Sequence, residues 1–301
     1  MKNLFNIEEI EKNFYSYLST NDFWISRKYG NIKDDVTKYV ADSGGGSIIQ
    51  RCGQGSMVNP FDWTHLFRHF VVANLINKSN LSILDVGCGE AVLRRILRRG
   101  SRIAKFNYVG MDIRKRMLLN AAEDTGKHPA TFFVTDLRKP WKFLKNNKFD
   151  FVIAMEIIEH MNEINGFNLL KKCKMKLKKG GTLVLSTPQY GFKDLSHGYK
   201  SKLKYNKGKE YYAHHVREYT REELKKLFGR FDLEIVGEYG YGTQIKIFEK
   251  YIKGGTANKG SFRHVYKALT DGIVPKTMAI PLLSYANPQF ATFLLYVLKK
   301  G

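Results

Sequence analysis

Residues 81–89 read LSILDVGCG, a short apolar run that ends in two glycines one residue apart. Such a run, closed by glycine, is typical of a parallel strand that is buried on both faces. Gly87 and Gly89 let the chain turn tightly and approach a ligand, because neither residue carries a Cβ atom. A dinucleotide-binding turn has a third glycine three residues after the second, and this chain has Val92 there. The turn therefore predicts a ligand site at the strand end and disfavours pyrophosphate as the ligand.

Strand-like and helix-like segments alternate from this point onward. This alternation predicts an α/β fold with a mostly parallel sheet and helices on both faces. Ligands of such sheets bind beyond the carboxyl ends of the strands. The predicted strands are residues 81–86, 107–112, 131–136, 149–155, 181–187, 231–240 and 291–300, and the predicted helices are residues 61–77, 90–99, 114–124, 163–178 and 220–229.

Two segments lie outside this pattern. Residues 1–60 are predicted to form an amino-terminal extension, in which an amphipathic helix precedes a mobile lid around the SGGGS sequence. Residues 61–301 then form one domain, with residues 252–290 inserted before the last strand. The apolar residues of 273–290, interrupted by prolines, are expected to cap a pocket or to lie on a membrane surface.

The chain is strongly basic. Its 301 residues include 50 Lys and Arg against 28 Asp and Glu, a formal net charge of +22, concentrated in residues 94–116 and 171–230. Such a field attracts polyanions such as RNA, although lysine runs also serve as solvated surfaces. An apolar fraction of 43% is enough for a core, and no apolar stretch is long enough to span a bilayer. The three cysteines form no disulfide or zinc pattern, which predicts a reducing, cytoplasmic location.

Acidic residues end the second and third predicted strands. Asp112 can accept hydrogen bonds from both hydroxyls of a ribose. Asp136 ends the next strand, where a carboxylate can accept a hydrogen bond from an adenine amino group. A lone aspartate at such a position is more often a cap or turn residue. Together with the glycine turn, the two aspartates indicate a nucleoside site across three strand ends.

The motifs ILDVGCG, YVGMD, FVTDL, FDFVIAMEIIEHM and LKKGGTLVLSTP together resemble a class I S-adenosylmethionine-dependent methyltransferase. The resemblance covers residues 81–240, and the last predicted strand fits the seventh strand of the family. It implies a Rossmann-like, doubly wound, seven-stranded sheet whose last strand is antiparallel. One departure is Ala91, where the family usually has glycine. The residues that the resemblance implies for binding S-adenosylmethionine are Asp85, Gly87, Cys88 and Gly89 at the methionine part, Asp112 and Ile113 at the ribose and adenine, Asp136 and Leu137 at the base, and Met155 at the sulfonium.

Glu156, Glu159 and His160 follow the fourth strand in the sequence EIIEH. If this segment begins a helix, their spacing places the three side chains on one face. Two carboxylates and an imidazole can bind Mg²⁺, Mn²⁺ or Zn²⁺, which would lower the pKa of an acceptor hydroxyl. The segment resembles the E-x-x-E-H group of small-RNA 2′-O-methyltransferases and of ubiquinone-biosynthesis O-methyltransferases. The first resemblance implies His215 as the fourth ligand, and the alternative is that His160 acts as a base without metal.

Three functions are compatible with these residues. The first is O-methylation of RNA or another nucleic acid, with lysines and tyrosines of residues 171–230 holding phosphates and stacking bases. The second is O-methylation of a small molecule, glycan or lipid precursor, with residues 252–290 over the pocket. The third is a cofactor-binding protein without catalysis, which the intact EIIEH segment disfavours.

Overall fold

The computed structural model describes residues 60–99, 105–123, 130–146, 148–190, 215–241 and 293–301, together with Leu4, Glu9, Ile10 and Asn13. Strands and helices alternate along these residues, as predicted. The strands are β1 (Leu81–Val86), β2 (Phe106–Asp112), β3 (Ala130–Val134), β4 (Phe149–Met155), β5 (Leu177–Pro188), β6 (Leu233–Tyr241) and β7 (Phe293–Lys300). The helices are α1 (Pro60–Leu75), α2 (Val92–Arg99), α3 (Lys115–Glu123), α4 (Glu163–Lys176) and α5 (Arg221–Gly229), with short 3₁₀ turns at Lys142–Leu144 and Ile158–His160.

The seven strands form one sheet in the order β3-β2-β1-β4-β5-β7-β6. Strands β1 to β5 pair in parallel, whereas β7 is antiparallel to both of its neighbours. The predicted Rossmann-like, seven-stranded sheet with an antiparallel last strand is therefore confirmed. The strand order reverses direction between β1 and β4, which places the crevice for a ligand beyond the carboxyl ends of these strands.

Both faces of the sheet are buried. The neighbouring residues Ile83 and Leu84 of β1 belong to two different apolar cores, because successive side chains of a strand point to opposite faces. Phe67 of α1 and Leu93 of α2 pack in the first core, and Phe228 of α5 packs in the second. This double burial explains why β1 reads as a continuous apolar run.

Several element boundaries differ from the predicted ones for a local backbone reason. Helix α2 begins at Val92 instead of residue 90, because Ala91 has a φ of +54° and cannot be part of the helix. Strand β6 begins at Leu233 instead of residue 231, since Asp232 has a φ of +46°. Strand β5 begins at Leu177 instead of residue 181, and its pairing with β4 shifts register after the first residues.

Three predicted features fall outside the described residues: the lid of the 1–60 extension, the insertion at 252–290 with its 273–290 membrane segment, and the lysine- and tyrosine-rich residues 191–214. In the part of the chain that is described, no helix has both the length and the apolar character needed to cross a bilayer.

Candidate active site

The ends of β1 and β2 carry two buried aspartates. Asp85 and Asp112 are each 3% exposed. Asp85 accepts a 2.5 Å hydrogen bond from the hydroxyl of Tyr108. Burial raises the pKa of Asp85 to about 7, and the Asp112 charge adds to the rise, although the bond from Tyr108 opposes it. The tip of β1 therefore carries a carboxyl group that can be protonated near neutral pH.

The glycine turn after β1 is bonded to the end of β2. The amides of Gly87 and Cys88 donate to the carbonyl of the residue before Asp112, at 2.7 and 3.0 Å. The amide of Gly89 donates to Oδ2 of Asp112 at 2.9 Å. A Cβ atom on Gly89 would have only the tip of the Arg114 side chain within 4 Å. The turn therefore presents an open backbone face beside the Asp112 carboxylate, and this face fits a ligand that approaches closely.

An arginine lies two residues after Asp112, which ends β2, and another lies two residues after Asp136, which is two residues beyond the end of β3 and not in the strand as predicted. Arg114 donates from Nε to Oδ1 of Asp112 at 3.1 Å and from Nη2 to Oδ2 at 3.2 Å. Arg138 bonds Asp136 in the same way, with Nη2 2.7 Å from Oδ2. These bonds hold the pKa of Asp136 below its usual value. Both predicted nucleoside carboxylates are therefore paired with an arginine.

The other residues implied for cofactor binding lie at the same sheet edge with very different exposure. Ile113 has 47% of its surface exposed, so it can lie against a flat ring. Leu137 and Met155 are buried. Cys88 is also buried, and burial raises the pKa of its thiol well above the usual value.

Glu156 departs from the geometry expected for the EIIEH segment. Its φ is +53°, and the helical turn that follows covers only residues 158–160. Its Oε1 accepts hydrogen bonds from the hydroxyls of Ser186 at 2.8 Å and Tyr241 at 2.9 Å, and lies 3.8 Å from the guanidinium of Arg68. The expected helix starting at Glu156 is therefore wrong, because the left-handed backbone at that residue turns its side chain toward β5, β6 and α1.

Glu159 is fully buried. Its Oε2 accepts a 3.1 Å hydrogen bond from Thr187, whereas Oε1 has no hydrogen-bond partner among the described residues. Burial raises the pKa of Glu159 well above its usual value, and the nearby charge of Glu156 adds to the rise. Buried polar atoms are normally satisfied, so the unbonded oxygen fits a cation that would complete its contacts.

Glu159, His160 and His215 form a cluster of three candidate ligands. Each offers one ligand atom, and these atoms lie within 4.8 Å of one another. The two imidazole rings meet edge to face, with their centroids 5.1 Å apart. A tetrahedral metal with bonds of about 2.1 Å needs ligand atoms about 3.4 Å apart, so small side-chain rotations would complete such a site. The structure thus brings together three of the four predicted ligands and leaves Glu156 outside the cluster.

The orientation of His215 is fixed by a neighbour that the sequence did not reveal. Its Nδ1 lies 2.8 Å from Oε1 of Glu218, which is itself buried. Carboxylates bonded to the second nitrogen of an imidazole are a common feature of metal-binding histidines, because they fix the ring and increase its basicity. This contact makes Nε2 of His215 the nitrogen suited to a metal.

Backbone hydrogen bonds return the His215 segment to the sheet edge. The amides of Val216 and Arg217 donate to the carbonyl of Glu159 at 2.8 and 2.9 Å. Tyr219 then pairs with the residue that follows β5. These contacts explain how residues more than fifty positions apart share one site.

Sequence reasoning missed five polar side chains at this edge: Arg68, Ser186, Thr187, Glu218 and Tyr241. The Ser-Thr pair at the end of β5 had a readable signal, because hydroxyls at a strand end face the ligand crevice. Arg68 and Tyr241 had none, since each meets Glu156 from a distant part of the chain.

A Rossmann-like sheet with carboxylates at consecutive strand tips defines the class I methyltransferase fold. The chain matches the model of the methyltransferase domain family Methyltransf_23 over residues 62–238. The chain therefore belongs to this family, and the predicted resemblance is confirmed.

Similar proteins agree with this assignment. A ubiquinone biosynthesis O-methyltransferase of Pelagibacter ubique is 30% identical over 109 residues, which is 36% of this chain and 42% of that protein. The chain therefore spans less than half the length of this curated relative. Two solved structures share the fold. The Haloferax volcanii methyltransferase bound to its Trm112 activator has a TM-score of 0.54 at 16% identity. The N-methyltransferase NodS of Bradyrhizobium japonicum, in complex with S-adenosylhomocysteine, has a TM-score of 0.50 at 12% identity. Each match covers 89% of this chain and 99% of the other protein.

Proposed function

We propose that this chain transfers a methyl group from S-adenosylmethionine to a hydroxyl oxygen. The observation that carries the proposal is that the Glu159–His160–His215 cluster lies at the same sheet edge as the Asp112 carboxylate. Methyl transfer from a sulfonium is an in-line displacement, in which the cofactor supplies the reactivity and the protein supplies alignment. The Asp112 carboxylate suits a nucleoside, and the Glu159–His160–His215 cluster suits an acceptor oxygen.

The residues around the glycine turn would hold the cofactor. Asp112 would accept hydrogen bonds from the ribose hydroxyls, and Ile113 would lie against the adenine ring. The methionine part would lie along the open face of the turn at Gly89. Arg68, whose charge acts on Asp85 and which lies 3.8 Å from Glu156, would supply a cation for the carboxylate of that part.

The Glu159–His160–His215 cluster would hold a divalent metal. The buried, unbonded oxygen of Glu159 fits this role, and the Glu218 carboxylate would keep the imidazole of His215 oriented. A bound metal would supply a lowered pKa for the acceptor hydroxyl. Without metal, His160 is the residue placed to take the acceptor proton, since its Nε2 lies 3.8 Å from Glu159.

A small molecule with a hydroxyl group is the acceptor that the relatives favour. The curated relative from Pelagibacter ubique is named for ubiquinone biosynthesis, and it matches only part of this chain. A small acceptor also fits the enclosed surroundings of Glu159, which is fully buried.

A nucleic acid is the second candidate acceptor, and the net charge of +22 favours it. Part of the charge in these segments is not available to bind RNA at the site, however. Arg94 is buried, Arg114 is bonded to Asp112, and Lys178 and Lys179 lie at the opposite edge of the sheet. The lysines and tyrosines of residues 191–214, which lie outside the described residues, would have to contact the RNA.

Transfer of a labelled methyl group from S-adenosylmethionine tests both acceptors. The purified chain, with its bound metal quantified, is assayed against a small-molecule extract and against total RNA. We expect Glu159→Gln to bind S-adenosylhomocysteine normally and to lose at least 100-fold in transfer rate, given typical metal and acid–base contributions. The matched control is Glu234→Gln, an exposed residue of β6. Transfer by Glu159→Gln at the wild-type rate would contradict the proposed acceptor site.

A further inference from the structure

A second cleft lies at the amino-terminal edge of the sheet, opposite the candidate active site. It has a volume of about 290 Å³ and is bounded by the loop after α1, the starts of β4 and β5, and the end of β7. Four lysines line it, namely Lys78, Lys178, Lys179 and Lys299, against the single carboxylate of Asp150. The cleft therefore carries an excess of three positive charges.

The carboxylate of Asp150 already accepts two hydrogen bonds. Asp150 Oδ2 accepts a 2.9 Å hydrogen bond from Lys178 and a 2.8 Å hydrogen bond from the amide of Ser82. Lys78 and Lys179 are exposed and make no hydrogen bond or ion pair with the described residues. Two ammonium groups on different walls of the cleft thus have no counter-charge in the described part of the protein.

Further lysines surround the cleft at the same sheet edge. The ammonium groups of Lys148 and Lys300 donate to carbonyls at the end of α4. Burial lowers the pKa of Lys300, and the charges of Lys148 and Lys174 lower it further. The positive charge at this edge of the sheet therefore extends beyond the cleft.

We propose that this cleft binds the phosphate groups of a nucleotide or of a nucleic-acid strand. Lysines act as point charges for phosphate oxygens, and several ammonium groups lining one cleft fit a ligand with several anionic oxygens better than one with a single carboxylate. The volume exceeds that needed for one small ion and leaves room for an attached sugar against the apolar floor formed by Leu81 and Phe151. The site goes beyond the proposed methyl transfer and does not depend on it, because it lies at the other edge of the sheet.

Fluorescence anisotropy tests the proposal with two labelled probes, a twelve-nucleotide oligouridine and a nucleoside triphosphate. The test variant is Lys78→Gln with Lys179→Gln. The matched control is Lys142→Gln with Lys145→Gln, which removes the same charge from exposed lysines outside the cleft. Loss of two phosphate contacts should weaken single-strand binding about tenfold at 0.15 M salt and reduce the salt slope by about 1.4.

The two probes identify the source of the phosphate. Loss of oligouridine binding in the test variant alone, with the control unchanged, supports a strand-binding cleft. Loss confined to the triphosphate supports a nucleotide site. Equal weakening in both variants, or no binding of either probe to the wild type, would overturn the proposal. Binding of S-adenosylhomocysteine stays unchanged in the test variant, so failure of this inference is distinguishable from failure of the methyltransferase proposal.

Discussion

The guanidinium of Arg114 lies against the carboxylate of Asp112, with Nε 3.1 Å from Oδ1 and Nη2 3.2 Å from Oδ2. These two oxygens are the ones that ribose hydroxyls would need. The Arg114 side chain is 31% exposed and that of Asp112 only 4%, so solvent screens the pair in part, and such an ion pair contributes on the order of 1 kcal/mol. A bound nucleoside therefore competes with a modest interaction that the ligand-free protein already has.

Arg114→Ala should bind S-adenosylhomocysteine more tightly, by up to about fivefold, because the competing ion pair is absent. Isothermal titration calorimetry measures the change directly. Lys115→Ala removes the same charge from the next residue and should leave the affinity unchanged. Weaker binding in Arg114→Ala would mean instead that the guanidinium holds the ligand.

Asp85 should make the stability of the protein depend on pH. Its folded-state pKa of about 7 lies above the reference value of 3.8, so the neutral form is favoured by folding. The resulting stabilisation is complete below about pH 4 and is lost as the pH rises through 7. The difference in pKa corresponds to a change of about 4 kcal/mol in the free energy of unfolding.

Asp85→Asn keeps an acceptor for Tyr108 and cannot ionise. Urea unfolding of both proteins between pH 4 and pH 8 should show the free energy of unfolding of the wild type falling relative to the variant, by up to about 4 kcal/mol at pH 8. Parallel pH profiles would show that the Asp85 carboxyl group ionises equally easily in the folded and unfolded chain.

Ala91→Gly should stabilise the protein. Ala91 has a φ of +54°, a left-handed conformation that alanine adopts at a cost of about 1 kcal/mol and glycine adopts without strain. Part of that gain is offset by the greater unfolded-state freedom of glycine, which leaves an expected increase of up to about 0.5 kcal/mol in the free energy of unfolding. Ala121→Gly, in the buried face of helix α3, should have the opposite sign. A loss of stability in Ala91→Gly would contradict the claim that the backbone at Ala91 is strained.

The sheet could be predicted from the sequence because each strand is indicated by residues within or next to it. The apolar run before Gly87 and the aspartate Asp112 lie within the elements they predict, whereas Asp136 lies two residues beyond the end of β3. The backbone at Ala91, Glu156 and Asp232 was not predictable in the same way, since a left-handed φ in a non-glycine residue depends on the surrounding packing.

The acceptor side of the site also contains some residues that were predictable from the sequence and others that were not. His160 lies only five residues after the end of β4, so its place at the sheet edge was predictable. His215 needed the resemblance to a known family, because no local pattern reports the backbone bonds that join its segment to Glu159. Arg68 and Tyr241 reach Glu156 from distant positions on either side of it in the sequence, and such long-range contacts leave no trace in sequence spacing.

Glu218→Gln tests whether the carboxylate next to His215 positions a metal ligand. Loss of this hydrogen-bonded charge should weaken binding of Zn²⁺ or Mn²⁺ by about 10- to 100-fold, because an imidazole without this partner is no longer held in one orientation. Metal affinity is measured by competition with a chromogenic chelator, independently of turnover. Glu222→Gln, an exposed residue of α5, is the control. Unchanged metal affinity in Glu218→Gln would show that Glu218 only packs against the ring.

Binding of S-adenosylhomocysteine to Asp112→Asn, measured by isothermal titration calorimetry, tests the nucleoside site most directly. Removing the charge from the carboxylate that would hold both ribose hydroxyls should weaken binding by about 100-fold, given about 1.5 to 3 kcal/mol for each hydrogen bond to a charged group. Asp232→Asn, whose side chain is 90% exposed near the opposite edge, should bind as the wild type does. Equal affinity in Asp112→Asn and the wild type would contradict a nucleoside held across the ends of β1 and β2.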